Sequence, residues 1–561
     1  MTQTTVPGAS WLDDGMPGDA RVVELARGRF DRLVERHPVL ATALGIHTED
    51  ERIDDQSRAG VEEDIADDEV TLASFEAIDD ASLAPDGRIE RDLAKHALRR
   101  ELFDMKEHRV WERRSDVLDT IGGAIFLLLV RDYAPIDVRL KAITARLEAV
   151  PAALEQSKSR LGDDLVLLWN ELELEAGEFL PVLFGDAIDA AQDGLRDQDL
   201  DHLEVATENA KAAIAEYSAW LTERISGARN DFVLGRERYD ELIRLREFDG
   251  LDTDQILEIG EQLLAEMHAG RKATAKEIDP NASEADVLDK VKSDQPPDFQ
   301  GALEAYRDSM MRAREHVIAH DIATVPSQDR ISVIETPAFL RNVIPFAAYF
   351  QPPKFEADPT GIYIVTPSVD GSPRAMREHN YASISNTSVH EAYPGHHLQL
   401  LCANAHPSLI RILVDAPEFV EGWGMYSEQM MREEGFDDGP KYRFAMYTDA
   451  IWRACRIVLD VRLHRGEIGV DEAIDFLVEH TGFERPQAQA EVHRYTYTPT
   501  YQLSYLLGKT LLLRLREEEK QRLGDAFSLG RFHDQLIYAG SVPISYHRRM
   551  LREGTTAKPT A

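Results

Sequence analysis

Over most of its 561 residues the chain repeats apolar side chains at three- and four-residue steps, the spacing that lines them up on one face of an α-helix. Residues 19–47 carry Val22, Val23, Leu25, Phe30, Leu33 and Val34 in this pattern, and Leu93, Ala97, Leu98 and Leu102 carry it over 85–112. Further helices suit 136–160, 163–180, 199–227 and 253–275. In the last third they suit 417–434, 440–465, 471–480, 486–492, 500–521 and 528–538. The periodicity lapses in one region. Arg330–Glu335 and Gly361–Val365 are short, β-branched and bounded by Pro or Gly, and Phe346–Phe350 is a third candidate strand. The expected fold class is therefore mainly α, a large multi-helical protein with one small β-sheet just ahead of a histidine-bearing helix. A chain this long exceeds one hydrophobic core, so two lobes around a cleft or channel are expected. The turn-rich stretch Ile278–Phe299, with Pro280, Pro296 and Pro297, places their boundary between 1–300 and 301–561.

Charge narrows the partners. Asp and Glu outnumber Lys and Arg by 101 to 63, a formal charge of −38, and such a surface repels nucleic acid and anionic lipid. No apolar stretch approaches the roughly 18 residues of a membrane span, so neither nucleic acid nor membrane is an expected partner. The N-terminus shows no basic segment followed by an apolar run. Two cysteines, Cys402 and Cys455, are too few for a disulfide framework. A cytoplasmic location is the resulting expectation.

The chemistry concentrates in His390-Glu391-Ala392-Tyr393-Pro394-Gly395-His396-His397. Imidazole is the commonest protein ligand for a transition metal, and metallohydrolases keep a general base beside the first histidine. His390 and His396 are the preferred ligands and Glu391 the preferred base. In a regular helix, residues six apart differ by about 240° of rotation, so the two rings would diverge. Pro394 removes a backbone donor and Gly395 permits unusual dihedrals, so a bulge or kink between the histidines is expected. His397 then points toward substrate or a neighbouring carboxylate, while a different distortion would make it the ligand instead.

A third ligand is expected from Phe419-Val420-Glu421-Gly422-Trp423-Gly424-Met425-Tyr426-Ser427-Glu428. Glu421 and Glu428 share a helix face about 10 Å apart, so only one can reach the ion. Glu421 is preferred because Gly422 lets backbone or substrate approach closely, leaving Glu428 to orient a histidine. The segment Glu491–Lys509 supplies Tyr495, Tyr501 and Tyr505 with Arg494. Tyrosine hydroxyls suit an oxyanion and arginine suits a carboxylate. Tyr505 and Tyr495 are the catalytic choices, and His397, Arg494 and Tyr501 the substrate-binding ones. Asp460 and His464, four apart, are expected to pair on one helix face.

His390–Gln399, Glu421–Glu428 and Pro499–Lys509, followed by Phe532-His533-Asp534 and Gly540-Ser541-Val542-Pro543, together resemble the domain of unknown function 885 family. That family is similar to the gluzincin metallopeptidases. Carried over residue by residue, the resemblance implies zinc (Zn2+) on His390, His396 and Glu421, with Glu391 as base. Gly395-His396-His397-Leu398 is similar to the Gly-His-Ala-Leu found around the second ligand of helical gluzincins. The expectation is a zinc metallopeptidase acting on short peptides, with the Gly361–Val365 strand offering an edge to an extended substrate. The alternatives are a zinc amidase on a non-peptide amide and a metal-stabilised binding protein without catalysis.

Overall fold

The computed structural model describes residues 11–12, 15–191, 195–337, 340–341, 344, 346–367 and 375–555. The chain is mainly helical with one three-stranded sheet, as the periodicity implies. It divides into two compact units: residues up to Phe232 with Pro353–Pro359, and Val233–Pro352 with Thr360 onward. The division lies at Phe232/Val233 and not near residue 300. The stretch 278–299 is no linker, because it holds a helix, Glu284–Ser293, started by a reciprocal capping box between Ser283 and Asp286. That helix packs with Phe444 and Ala445 in the core of the second unit.

Among the described residues the first unit is built of helices, with one isolated β-bridge between Val166 and Arg229. The amphipathic run at 19–47 is two helices, Pro17–Arg36 and Pro38–Leu44. Pro38 disfavours helical geometry at His37 and starts the next helix at its first position. The expected helix over 85–112 ends at Phe103, and a π-turn at Asp104–His108 and a short helix, Val110–Arg113, follow it. Ile121, Ile125, Leu140, Leu147, Trp169 and Phe184 are among its fully buried side chains.

The second unit carries the sheet: β1 (Ile331–Glu335), β2 (Ala347–Phe350) and β3 (Gly361–Val365). β3 lies in the middle, parallel to β1 with Ile331 opposite Gly361, and antiparallel to β2 with Ala347 opposite Val365. Its five residues are all buried, which explains an apolar run without alternation. Both of its edges are paired, so β3 cannot accept a peptide by edge addition; the outer strands are β1 and β2.

The helices framing the site are numbered here in chain order: α1 (Thr253–Ile278), α2 (Phe299–Ala319), α3 (Tyr381–Glu391), α4 (His396–Asn404), α5 (Pro417–Glu433), α6 (Pro440–Arg465), α7 (Arg485–Tyr495), α8 (Leu506–Leu523) and α9 (Leu529–Ile537). α1 lies along α6, while α3 packs against α2, α5 and α6. α5 and α8 cross where Gly422 meets Gly508. A Cβ on Gly422 would stand 2.7 Å from the Gly508 Cα. The close neighbour that Gly422 admits is thus another helix backbone. Among the described residues, no helix is long and apolar enough to cross a membrane.

Candidate metal centre

α3 starts on Asn380, whose side chain accepts from the Ser383 amide at 3.0 Å, and it runs to Glu391. The chain does not then continue as one kinked helix. The Tyr393 amide donates to the Ser388 carbonyl and the Gly395 amide to the Val389 carbonyl at 3.0 Å, folding the chain back over the last turn. The Tyr393–Pro394 peptide is cis, and α4 restarts at His396. Gly395 is fixed by space, since a Cβ there would lie 1.9 Å from the His390 carbonyl oxygen. The expected bulge is therefore a complete break. Pro394 cannot donate to a helical ladder and disfavours helical geometry at Tyr393, so the ladder ends and a new one begins. Trp423 on α5 anchors the turn by donating its indole N–H to the Pro394 carbonyl at 2.7 Å.

This break brings the two imidazoles together, with ring centroids 4.7 Å apart and planes at 90°. Glu421 Oε2 on α5 lies 3.7 Å from His390 Nε2 and 3.3 Å from His396 Nε2. One donor atom from each of these three residues falls within 4.8 Å of the others, the one such group of histidines, cysteines and carboxylates among the described residues. Room for the His390 ring comes from Gly424, where a Cβ would sit 2.7 Å from its Nε2.

Outer partners fix which atoms face the centre. His390 Nδ1 is held by Glu428 Oε1 at 2.7 Å, which leaves Nε2 inward. Glu428 also accepts from Asn386 Nδ2 at 3.0 Å, one turn before His390 on α3. The Tyr501 hydroxyl donates to Glu421 Oε1 at 2.8 Å, leaving Oε2 toward the histidines. Burial opposes charge on His390, yet Glu421, Glu428 and Glu391 outweigh it and raise the imidazole to about 10. Burial likewise opposes charge on Glu421, and His390 and His396 override it, holding that carboxyl well below the usual range. The surroundings favour positive charge at the centre. Two imidazole nitrogens and one carboxylate oxygen, each turned inward, fit a zinc ion with three protein ligands.

Glu391 ends α3 half-buried, and no side-chain hydrogen bond among the described residues engages it. His396, not His397, is brought to Glu421. His397 is fully buried, with Nδ1 on the Tyr349 hydroxyl at 2.7 Å and Nε2 on Asp329 Oδ1 at 2.6 Å, so neither nitrogen faces metal or substrate. Tyr495 is also removed from the expected role. Its buried hydroxyl donates to Glu491 at 2.8 Å and accepts from Arg456 and Trp452 at 3.1 Å. Tyr501, expected on substrate, instead holds the ligand Glu421. Tyr505 is the tyrosine placed beside this pair, its hydroxyl 3.4 Å from that of Tyr501. Arg494 is half-exposed and donates to Glu491 at 2.9 Å. Asp460 and His464 do not pair: Asp460 accepts from Tyr239 and the Thr500 amide, while His464 Nε2 meets the Tyr495 carbonyl.

Sequence reasoning missed Asp329, which accepts from Tyr393 at 2.6 Å and Arg314 at 2.7 Å as well as facing His397. It lies in a loop with no periodic signal. Asn386 was findable, because it precedes His390 by one helical turn.

The architecture is that of a helical protein with a His-His-Glu centre at a helix break. The family described as "Bacterial protein of unknown function (DUF885)" matches residues 38–551, and the chain belongs to it. No curated protein matches the chain. A "putative lipoprotein of unknown function" from Shewanella oneidensis has a similar structure, with a TM-score of 0.76 and 24% identity over 95% of this chain and 99% of that one. A second, the "putative lipoprotein from Colwellia psychrerythraea", has a TM-score of 0.82 and 18% identity over 96% and 99%. At these identities the likeness is one of fold.

Proposed function

We propose that this protein is a zinc-dependent hydrolase of peptide bonds in short peptides. The observation that carries the reading is the convergence of His390, His396 and Glu421 within 4.8 Å, with Glu391, free of side-chain hydrogen bonds among the described residues, next to His390 in the chain. Bound zinc supplies Lewis acidity, which acidifies water and polarises a carbonyl. The residues of the chain do the remainder. Glu391 takes a proton from the attacking water and returns it to the leaving nitrogen. Tyr505 donates to the oxygen on which negative charge develops. Glu428 and Tyr501 hold His390 and Glu421 in the orientation the ion requires. Three protein ligands leave a place open for chemistry, whereas a closed structural site uses four.

The test is a peptide-library digest read by mass spectrometry, with zinc content measured on the same samples. Wild type should cleave and hold about one zinc per chain. Glu391→Gln should keep the zinc and lose turnover by at least about a hundredfold, the lower range for a removed acid–base group. His390→Ala should lose both. Full activity in Glu391→Gln would remove the base assignment. A digest that leaves peptides intact but cleaves simple amides would favour a zinc amidase, and bound metal without turnover would favour a binding protein.

Compartment is a separate proposal. Cys402 and Cys455 are buried and unbridged, which supports a reducing cytoplasm, while the solved structures of similar fold are described as lipoproteins. Fractionation of source cells distinguishes cytoplasm from envelope.

A further inference from the structure

Beside the metal centre lies a cluster of three guanidinium groups, set among the carboxylates of Glu491, Asp449 and Glu428. α6 contributes Arg453 and Arg456, and α7 contributes Arg494. Arg456 is buried, donating from Nη2 to Glu491 at 2.8 Å and from Nε to the Tyr495 hydroxyl at 3.1 Å. Arg494 turns to the same Glu491 oxygen at 2.9 Å. Burial works to raise the Glu491 carboxyl, but the two arginines override it and hold it at about 2. One carboxylate thus serves two guanidiniums and a tyrosine.

Arg453 is held more loosely, by Asp449 on its own helix, and its charge is also felt by the Glu428 carboxylate. Its Nη1 reaches the Asp449 backbone carbonyl only at 3.5 Å, and the Asp449 carboxylate stands at 4.0 Å. Its Nε is buried with no hydrogen-bond acceptor among the described residues. The other Asp449 oxygen already accepts from Asn386 at 2.9 Å. A guanidinium carries five donors, and the buried Arg453 Nε is one that the fold leaves unmatched.

The cluster is connected to the metal ligands by side chains already described. The Arg453 guanidinium stacks 4.0 Å from the Trp452 ring and lies 6.0 Å from the Tyr505 ring, and that of Arg456 lies 4.7 Å from Tyr505. The Tyr505 hydroxyl is 3.4 Å from that of Tyr501, which donates to Glu421. An anion held at Arg453 is therefore separated from the ligand set by the Tyr505 and Tyr501 side chains.

We infer that Arg453 receives a free carboxylate of the substrate, so that the peptides cleaved are those whose scissile bond lies close to their C-terminus. A guanidinium matches a carboxylate with two parallel N–H donors, and the Tyr505 ring, 6.0 Å from the Arg453 guanidinium, links that anchor to Tyr501 and Glu421. This inference rests on the hydrolase reading for its chemistry, but the anionic subsite can be measured without turnover.

The experiment uses the full chain with zinc and an acetylated tetrapeptide, prepared with a free C-terminal carboxylate and as the carboxamide. Binding to the Glu391→Gln protein is measured by calorimetry, and cleavage by wild type is read by mass spectrometry. The expected result is binding of the free acid at least about tenfold tighter than the amide, with the preference lost in Arg453→Gln and partly restored in Arg453→Lys. Thermal melting of both variants separates a lost subsite from a lost fold. Equal binding of acid and amide by a folded protein overturns the inference. Equal cleavage of both by wild type overturns it too, while leaving the hydrolase intact. Cleavage of neither, with the acid preference present, removes the hydrolase reading and leaves the carboxylate subsite standing.

Discussion

Two residues outside the His390–His396–Glu421 group decide how two of its members are turned. Glu428 holds His390 Nδ1 at 2.7 Å and Tyr501 holds Glu421 Oε1 at 2.8 Å. Each fixes the tautomer or the free oxygen of its partner, and such outer contacts are typically worth 10–100-fold in metal affinity. Tyr501→Phe keeps the ring and removes only the hydroxyl. Its zinc affinity, measured by competition with a chelator, should fall by about that factor while the melting temperature of the metal-free protein stays within a few degrees. Unchanged affinity would mean that Glu421 needs no such support. The residue scale is also where the sequence was least legible. His390, His396, Glu391 and Glu421 are types with known metal chemistry at readable positions. His397, Tyr495 and Tyr501 have the same chemical range, and only their neighbours separate them. His397 meets Asp329, 68 residues away, and Tyr495 meets Arg456, 39 away, pairings no local pattern encodes.

At the scale of elements, a helix break assembles the His390–His396–Glu421 group. Helical spacing alone places His390 and His396 on diverging faces, and the turn at Tyr393–Gly395 reverses that by ending α3 and starting α4. The three strands and most helices were readable because apolar spacing is a local property; α6 runs Pro440–Arg465 as the periodicity implies. Breaks were harder to read. Proline marks where a helix stops but not the path that follows, so a kink was expected where a full turn exists. The same holds at 278–299, where three prolines suggested a linker although Ser283 and Asp286 start a helix. Gly395→Ala tests the turn directly. The new methyl group would collide with the Val389 and His390 carbonyl oxygens, a backbone contact that no rotamer can relieve. We expect a destabilisation of about 3 kcal/mol or more in urea unfolding, together with loss of zinc. A folded variant with normal zinc content would contradict this account of the break.

At the scale of the whole molecule, buried histidines shape the response to acid. Burial pushes His464 down to about 4 and both His533 and His547 down to about 3, against about 6.5 in the unfolded chain. A depressed histidine favours the neutral form in the fold. Its contribution is full above about pH 6.5 and is lost as pH falls toward the folded value. Asp460 acts with the opposite sign: burial raises it to about 7, so its contribution fades as pH rises from about 4 through 7. Burial also raises Glu101, Glu173, Asp249, Asp449 and Asp534, which act with the sign of Asp460, and lowers His268, His316, His379, His480 and His493, which act with the three histidines. The lowered histidines outnumber the raised carboxyls, so the melting temperature should drop between pH 6.5 and 4, and a flat profile there would show that these rings are not held neutral. The central claim is that His390, His396 and Glu421 form one metal centre. Anomalous diffraction at the zinc edge from crystals grown with zinc tests it most directly. The account predicts a single strong peak bonded to His390 Nε2, His396 Nε2 and Glu421 Oε2; a peak on His397, or no peak among these three residues, would contradict it.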